Sequence, residues 1–135
     1  MVTTAIRRQS AKVIVRYDQG ILLVQRLGGK LWALPGGHVE PGSEPMSEAI
    51  RELKEETDLT ARTMKHLFDI EMMIKNGSDW PMLKTFSVFI AKVDGIARPR
   101  TEIKALDYFN RDFDRELLVP STEEILDARK LLRVA

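Results

Sequence analysis

The stretch Leu34–Leu59, LPGGHVEPGSEPMSEAIRELKEETDL, sets a glycine-rich turn in front of a helix-like run and holds seven acidic residues, three of them packed as RELKEE. Pro35, Gly36, Gly37, Pro41 and Gly42 predict a loop with no regular element. From about Ser43 to Thr57 the pattern turns helical, because Met46, Ala49, Ile50, Leu53 and Thr57 recur at three- and four-residue steps. Ser43 or Pro45 begins that helix as cap or first-turn residue. At about 100° per residue, Glu52, Glu55 and Glu56 fall within an arc of about 100°, beside the apolar stripe, and Glu48 joins them. Packing the stripe on a sheet leaves a row of carboxylates at the helix flank.

Working outward, AKVIVRYDQGILLVQRL reads as two strands joined at Asp18 to Gly20, a hairpin. KLWALP is a short extended piece leading into the glycine loop. Beyond the helix, ARTMKHLFDIEMMIK and MLKTFSVFIAKV read as long strands separated by NGSDWP, and EIKALDYFN as another. The tail VPSTEEILDARKLLRV predicts a C-terminal helix capped by Ser121 or Thr122 ahead of Glu124. Strands before, between and after helices predict an α/β fold: a sandwich with a mixed β-sheet between helices, as one domain over residues 1–135.

Composition sets bounds on function. The 135 residues are 44% hydrophobic and 30% charged, enough for one real core. Twenty-one basic and 20 acidic residues give a formal charge of +1, so no global charge points to nucleic acid or an anionic membrane. There is no cysteine, which removes disulfides and thiolate metal sites. No apolar run suits a signal peptide or a membrane span, so a cytoplasmic location is the expectation.

Two readings of the acidic helix compete. Like charges three and four apart cost a few tenths of a kcal/mol per pair. Arg51 pairing with Glu48 or Glu55, and Lys54 with nearby acids, would make an ordinary solvated face. The loop before the helix favours a sharper reading: several carboxylates plus turn carbonyls are the hard-oxygen donors that Mg²⁺ or Mn²⁺ prefers, with a substrate phosphate completing the shell.

At these residues the sequence resembles the Nudix hydrolases, whose MutT-like box reads G-x5-E-x7-R-E-U-x-E-E-x-G-U, where U is bulky and apolar. Gly37 opens the box here, Arg51 and Glu52 supply its R-E, Leu53 its bulky residue, Glu55 and Glu56 its glutamate pair, and Leu59 closes it. LPGG stands directly upstream. Two positions depart: Ser43 stands where the first glutamate belongs, with Glu44 one place later, and Asp58 replaces the second glycine. Aspartate adopts the left-handed conformation of a helix C-terminus more readily than most residues, so a modest stability cost is expected there.

The resemblance implies divalent-metal-dependent hydrolysis of a nucleoside diphosphate linked to another moiety X. It assigns Mg²⁺ or Mn²⁺ to Glu52, Glu55, Glu56 and the backbone at Gly37, and catalysis to Glu55, Glu56, Arg51 and Glu102. Arg51 orients a glutamate, and Glu102, with Asp94 or Asp79 as alternatives, is the later acid that serves as ligand or base. Arg26, Lys30 and His38 are candidates for the substrate phosphates, with a solvated surface cation as the alternative for Arg26 and Lys30. Trp32 either stacks on a base or is buried in the sheet, and Trp80 forms a binding lip or a dimer contact. X remains open among a nucleoside triphosphate, dinucleoside polyphosphate, ADP-ribose-like compound and nucleotide sugar. A second reading is a nucleotide-sensing module with little hydrolysis. Nucleic acid is not expected, since IRRQSAK and ARPR are short, and a homodimer is compatible with the resemblance.

Overall fold

Alternating apolar residues build the longest strands. In the computed structural model, which describes residues 6–75 and 81–134, β1 (Ile6–Tyr17) turns at Asp18 and Gln19 into β2 (Gly20–Arg26), with Tyr17 opposite Gly20. The expected hairpin is present. Next come β3 (Trp32–Ala33), β4 (Gly36–His38), helix α1 (Pro45–Thr57), β5 (Thr60–Lys75), β6 (Pro81–Asp94), β7 (Ile103–Phe109), a 3₁₀ turn at Arg115–Leu117 and helix α2 (Pro120–Val134). The strands form a mixed seven-stranded sheet in the order β3-β2-β1-β6-β5, with β4 added on β1 and β7 on β2. β1 runs parallel to β6, whereas β2, β4 and β5 lie antiparallel to their neighbours.

A helix lies against each face. Ala11, Val13 and Val15 of β1 pack with Ala49 and Leu53 of α1, while the intervening Ile14 packs with Ile125 and Leu126 of α2. Three consecutive buried residues, Val13 to Val15, are what a strand covered on both faces requires. The α/β sandwich read from the sequence is the observed fold.

Three local expectations are corrected. The glycine loop contains a strand, β4, because Gly36 takes φ 139°, and the Ala11 carbonyl occupies the place of any Cβ. Only glycine allows that approach, so a residue that argues for a loop here permits a pairing. In α1, Ile50 is 41% exposed and Glu56 is 1% exposed, so the inward stripe takes a carboxylate in place of an aliphatic residue. At α2 the helix already begins at Pro120; Thr122 is buried within the first turn, and its hydroxyl accepts the Leu34 amide at 3.1 Å. Pro45 does open α1, and Glu44 is its N-cap residue, without a side-chain hydrogen bond. Asp79 and Trp80 lie outside the described residues.

Candidate active site

The site forms where β4 meets the flank of α1. Gly36 and Gly37 run antiparallel to Lys12 and Ala11 of β1. This brings the Glu52 carboxylate so close to Gly37 that an added Cβ would lie 2.9 Å from its Cδ. One residue earlier, the Gly36 amide donates to Glu56 Oε1 at 2.9 Å, and Arg26 Nη2 donates to Glu56 Oε2 at 3.1 Å and to the Gly36 carbonyl at 3.3 Å. Arg26 Nη1 lies 3.3 Å from Glu102 Oε2. One guanidinium therefore joins the end of β2, the β4 backbone, the buried helix glutamate and the loop before β7.

Arg51 is the second hub. Its Nη2 donates to Glu48 at 2.6 Å and to Glu52 at 3.0 Å, and its Nη1 donates to Glu55 at 2.8 Å. Hydrogen bonds to Glu48 first, then Glu55, hold the guanidinium above its ordinary pKa. Three carboxylates at helical spacing are thereby gathered around one cation, which offsets their mutual repulsion. Glu44 is not among Arg51's partners; Glu48 is.

Burial governs the electrostatics. It pushes Glu56 up to about 7, against the opposing pull of the Gly36 amide, Lys12 and Arg26. It pushes Lys12 down to about 8, with Glu56 the largest opposing influence. The Lys12 ammonium lies 3.5 Å from the Leu34 carbonyl, at the entry to the Gly36 turn.

The loop after β6 completes the wall by docking on the C-terminus of α1. Arg98 and Arg100 amides donate to the carbonyls of Thr57 and Glu56 at 2.9 and 3.1 Å. Asp58 adopts φ 66°, the left-handed cap expected of it, and its carboxylate accepts from Arg100 at 2.7 Å. That contact is the leading cause of a lowered Asp58 pKa. The Glu102 carbonyl then accepts the Leu27 amide at 2.8 Å, which fixes Glu102 beside Arg26.

The structure thus brings together Arg26, Gly37, Arg51, Glu52, Glu55, Glu56 and Glu102. Lys30 lines, with Arg26 and Leu31, a hollow of about 290 Å³. His38 is exposed on β4, in a cavity of about 380 Å³ shared with Arg8. Trp32 packs elsewhere, edge-on to Phe113 at 6.3 Å and against the cluster containing Leu23 and Ile125. Asp94 is 3.5 Å from Arg62, at the far end of β6. Lys12 and the Arg100–Asp58 contact went unread in the sequence. The one signal for Lys12 was a cation interrupting AKVIV between two residues that must be buried.

Among the described residues no three carboxylates or imidazoles converge on one point, since Arg51 and Arg26 hold the glutamates. The donor set nonetheless fits a hard divalent cation. It is all oxygen, and burial raises the Glu56 pKa despite the Gly36 amide, Lys12 and Arg26, so a bound cation would favour its charged form.

A family model described as the NUDIX domain matches residues 6–130. A protein of Bacillus subtilis (strain 168) named "Putative 8-oxo-dGTP diphosphatase" is 45% identical over 49 residues, 36% of this chain and 33% of its own length. One of Lactococcus lactis subsp. cremoris (strain MG1363) named "Probable DHNTP pyrophosphohydrolase" is 34% identical over 64 residues, 47% of this chain and 39% of its own. The matches thus span about a third of the length of these curated relatives. The crystal structure of a MutT NUDIX hydrolase from Burkholderia pseudomallei superposes with a TM-score of 0.77 at 22% identity, covering 90% of this chain and 96% of that one. This last likeness concerns the fold.

Proposed function

The chain belongs to the NUDIX domain family, and from that premise we propose that it is a divalent-metal-dependent hydrolase of a nucleoside diphosphate linked to a moiety X. The observation that carries the reading is the gathering of Glu52, Glu55, Glu56 and Glu102 around Arg51 and Arg26 beside the Gly36–Gly37 turn. Relatives named as an 8-oxo-dGTP diphosphatase and a DHNTP pyrophosphohydrolase support a nucleotide substrate.

Glu52, Glu55, Glu56 and the Gly37 backbone would hold Mg²⁺ or Mn²⁺, which when bound supplies charge neutralisation of the diphosphate and a more acidic water. Arg51 is a positioning residue: it fixes the rotamers of Glu52 and Glu55. Arg26 exposes part of its guanidinium beside Glu56 and binds a substrate phosphate, and Lys30 lines the same hollow, whereas His38 lies in a separate cavity. Glu102 takes the proton of the attacking water. It is the most accessible carboxylate of the group, 69% exposed, and among the described residues its carboxylate is tethered only by Arg26, whereas Glu52 and Glu55 are neutralised by Arg51. The same loop argues for a small-molecule substrate over nucleic acid, because Arg98 and Arg100 are spent on Asp58.

A nucleotide-sensing module is the second reading, favoured by one feature: Ser43 and Glu44 leave the Arg51 hub without the box's first glutamate. The test is product release from nucleoside triphosphates, dinucleoside polyphosphates, ADP-ribose and nucleotide sugars with Mg²⁺ or Mn²⁺. Metal-dependent turnover of one class is expected. Tight nucleotide binding without product from any of them would favour the sensing module.

A further inference from the structure

The four carbonyls that end α1 have no partner within the helix, and three of them are met by the loop that carries Glu102. The Lys54 carbonyl accepts from the Asp58 amide at 3.0 Å, which closes the helix on itself. Those of Glu56 and Thr57 accept from the Arg100 and Arg98 amides. The Glu55 carbonyl is faced by a side chain, the Thr101 hydroxyl, 3.3 Å away and also 2.8 Å from the Arg100 carbonyl. Glu55 and Glu56, whose carboxylates belong to the site, thus hold through their carbonyls the two residues that precede Glu102.

Thr101 takes a conformation that favours glycine. The Ile103 amide donates to the Arg100 carbonyl at 3.0 Å, so Arg100 to Ile103 form a tight turn with Thr101 at its first central position, at φ 52°. A side chain there crowds its own backbone, and a β-branched one does so most. Among the described residues only Asp58 and Thr101 reach positive φ without being glycine, and Asp58 is the cap of α1. For the turn alone glycine would serve better. What glycine lacks is the hydroxyl. The turn leads directly into Glu102, whose side chain is 69% exposed and is not packed in place. Its position follows from the backbone on either side: the Leu27 amide holds the Glu102 carbonyl to the end of β2, and Thr101 reaches the end of α1.

We propose that Thr101 is a positioning residue for the hydrolysis: its hydroxyl ties the turn to the end of α1 and so sets Glu102 at a fixed distance from the α1 carboxylates. The assignment rests on the hydrolase reading above, in which Glu102 takes the proton of the attacking water. The strained conformation persists because the hydroxyl and the neighbouring amides hold it.

The test compares the full chain as wild type, Thr101→Gly and Thr101→Ser. Glycine accepts the turn and removes the hydroxyl, whereas serine keeps it. In Thr101→Gly, kcat is expected to fall at least about tenfold at unchanged KM, and Thr101→Ser is expected to recover most of it. In a Glu102→Gln background the glycine substitution should change kcat by less than about twofold, because no base is left to misplace. Equal kcat in Thr101→Gly and wild type, a serine variant as slow as the glycine one, or a fall that persists undiminished in the Glu102→Gln background overturns the assignment. Amide hydrogen exchange reads the tether without turnover: at Arg98, Arg100 and Ile103 it is expected to be at least about tenfold faster in Thr101→Gly than in the other two proteins. Unchanged protection overturns the tether. Should wild type turn over no compound of the panel while protection still depends on the hydroxyl, the hydrolase reading fails and the tether between loop and helix stands.

Discussion

At the scale of single residues, Arg26 is the pivot, because it satisfies Glu56 where burial would otherwise leave a carboxylate oxygen without a donor. Arg26→Ala is expected to lower stability by about 1–3 kcal/mol, the cost of a buried group losing its partner, read as a shift in the urea midpoint. Arg26→Lys should recover little of it, since an ammonium cannot reproduce the planar fork that reaches Glu56, the Gly36 carbonyl and Glu102 together. Glu102→Gln separates chemistry from binding: kcat should fall by about 10²–10⁴-fold with the acid limb of the pH profile lost, and KM should change little. A retained acid limb would place the base elsewhere. The glutamates and Arg51 were legible in the sequence because helical spacing alone puts them on one flank. Arg26 read no differently there from a solvated cation, since its partners lie on β4, α1 and the loop before β7, distances that no local pattern encodes.

At the scale of elements, β4 and the C-terminus of α1 hold the site in place. Gly36→Ala drives a methyl into the Ala11 carbonyl at a backbone conformation closed to alanine, so a loss of at least about 3 kcal/mol is expected in chemical denaturation. That pairing could not be read beforehand, because the glycines that permit the close strand approach are the residues that signal a loop. Asp58 is a different case. Its left-handed conformation was foreseen, but its ion pair with Arg100 was not, because Arg100 lies 42 residues further along the chain and ARPR reads as a surface patch. Arg100 holds the Asp58 carboxyl below its ordinary value. The stability this confers is complete above the unfolded pKa of about 3.9 and is lost as pH falls through the lower folded value. Asp58→Gly should therefore flatten the acid side of the stability-versus-pH curve. An unchanged acid limb would mean that the Arg100 contact contributes nothing in solution.

At the scale of the whole molecule, the sheet serves as a frame that brings four distant segments to one point. The β1–β4 pairing sets Gly36 and Gly37 beside Lys12 and Ala11, and the β2–β7 pairing sets Arg26 beside the loop that carries Glu102. Strand and helix order, and the sandwich itself, followed from alternation and from the count of elements. The pairing of strands more than 70 residues apart did not, and the meeting of Arg26 with Glu102 depends on it. The carboxylates of α1 carry the central claim, and turnover in Glu56→Gln tests it most directly. On the best substrate of the panel with saturating Mg²⁺, kcat is expected to fall by at least about 10²-fold while circular dichroism and the unfolding transition remain those of a folded protein. Turnover equal to wild type in a folded Glu56→Gln protein would remove this cluster from the chemistry.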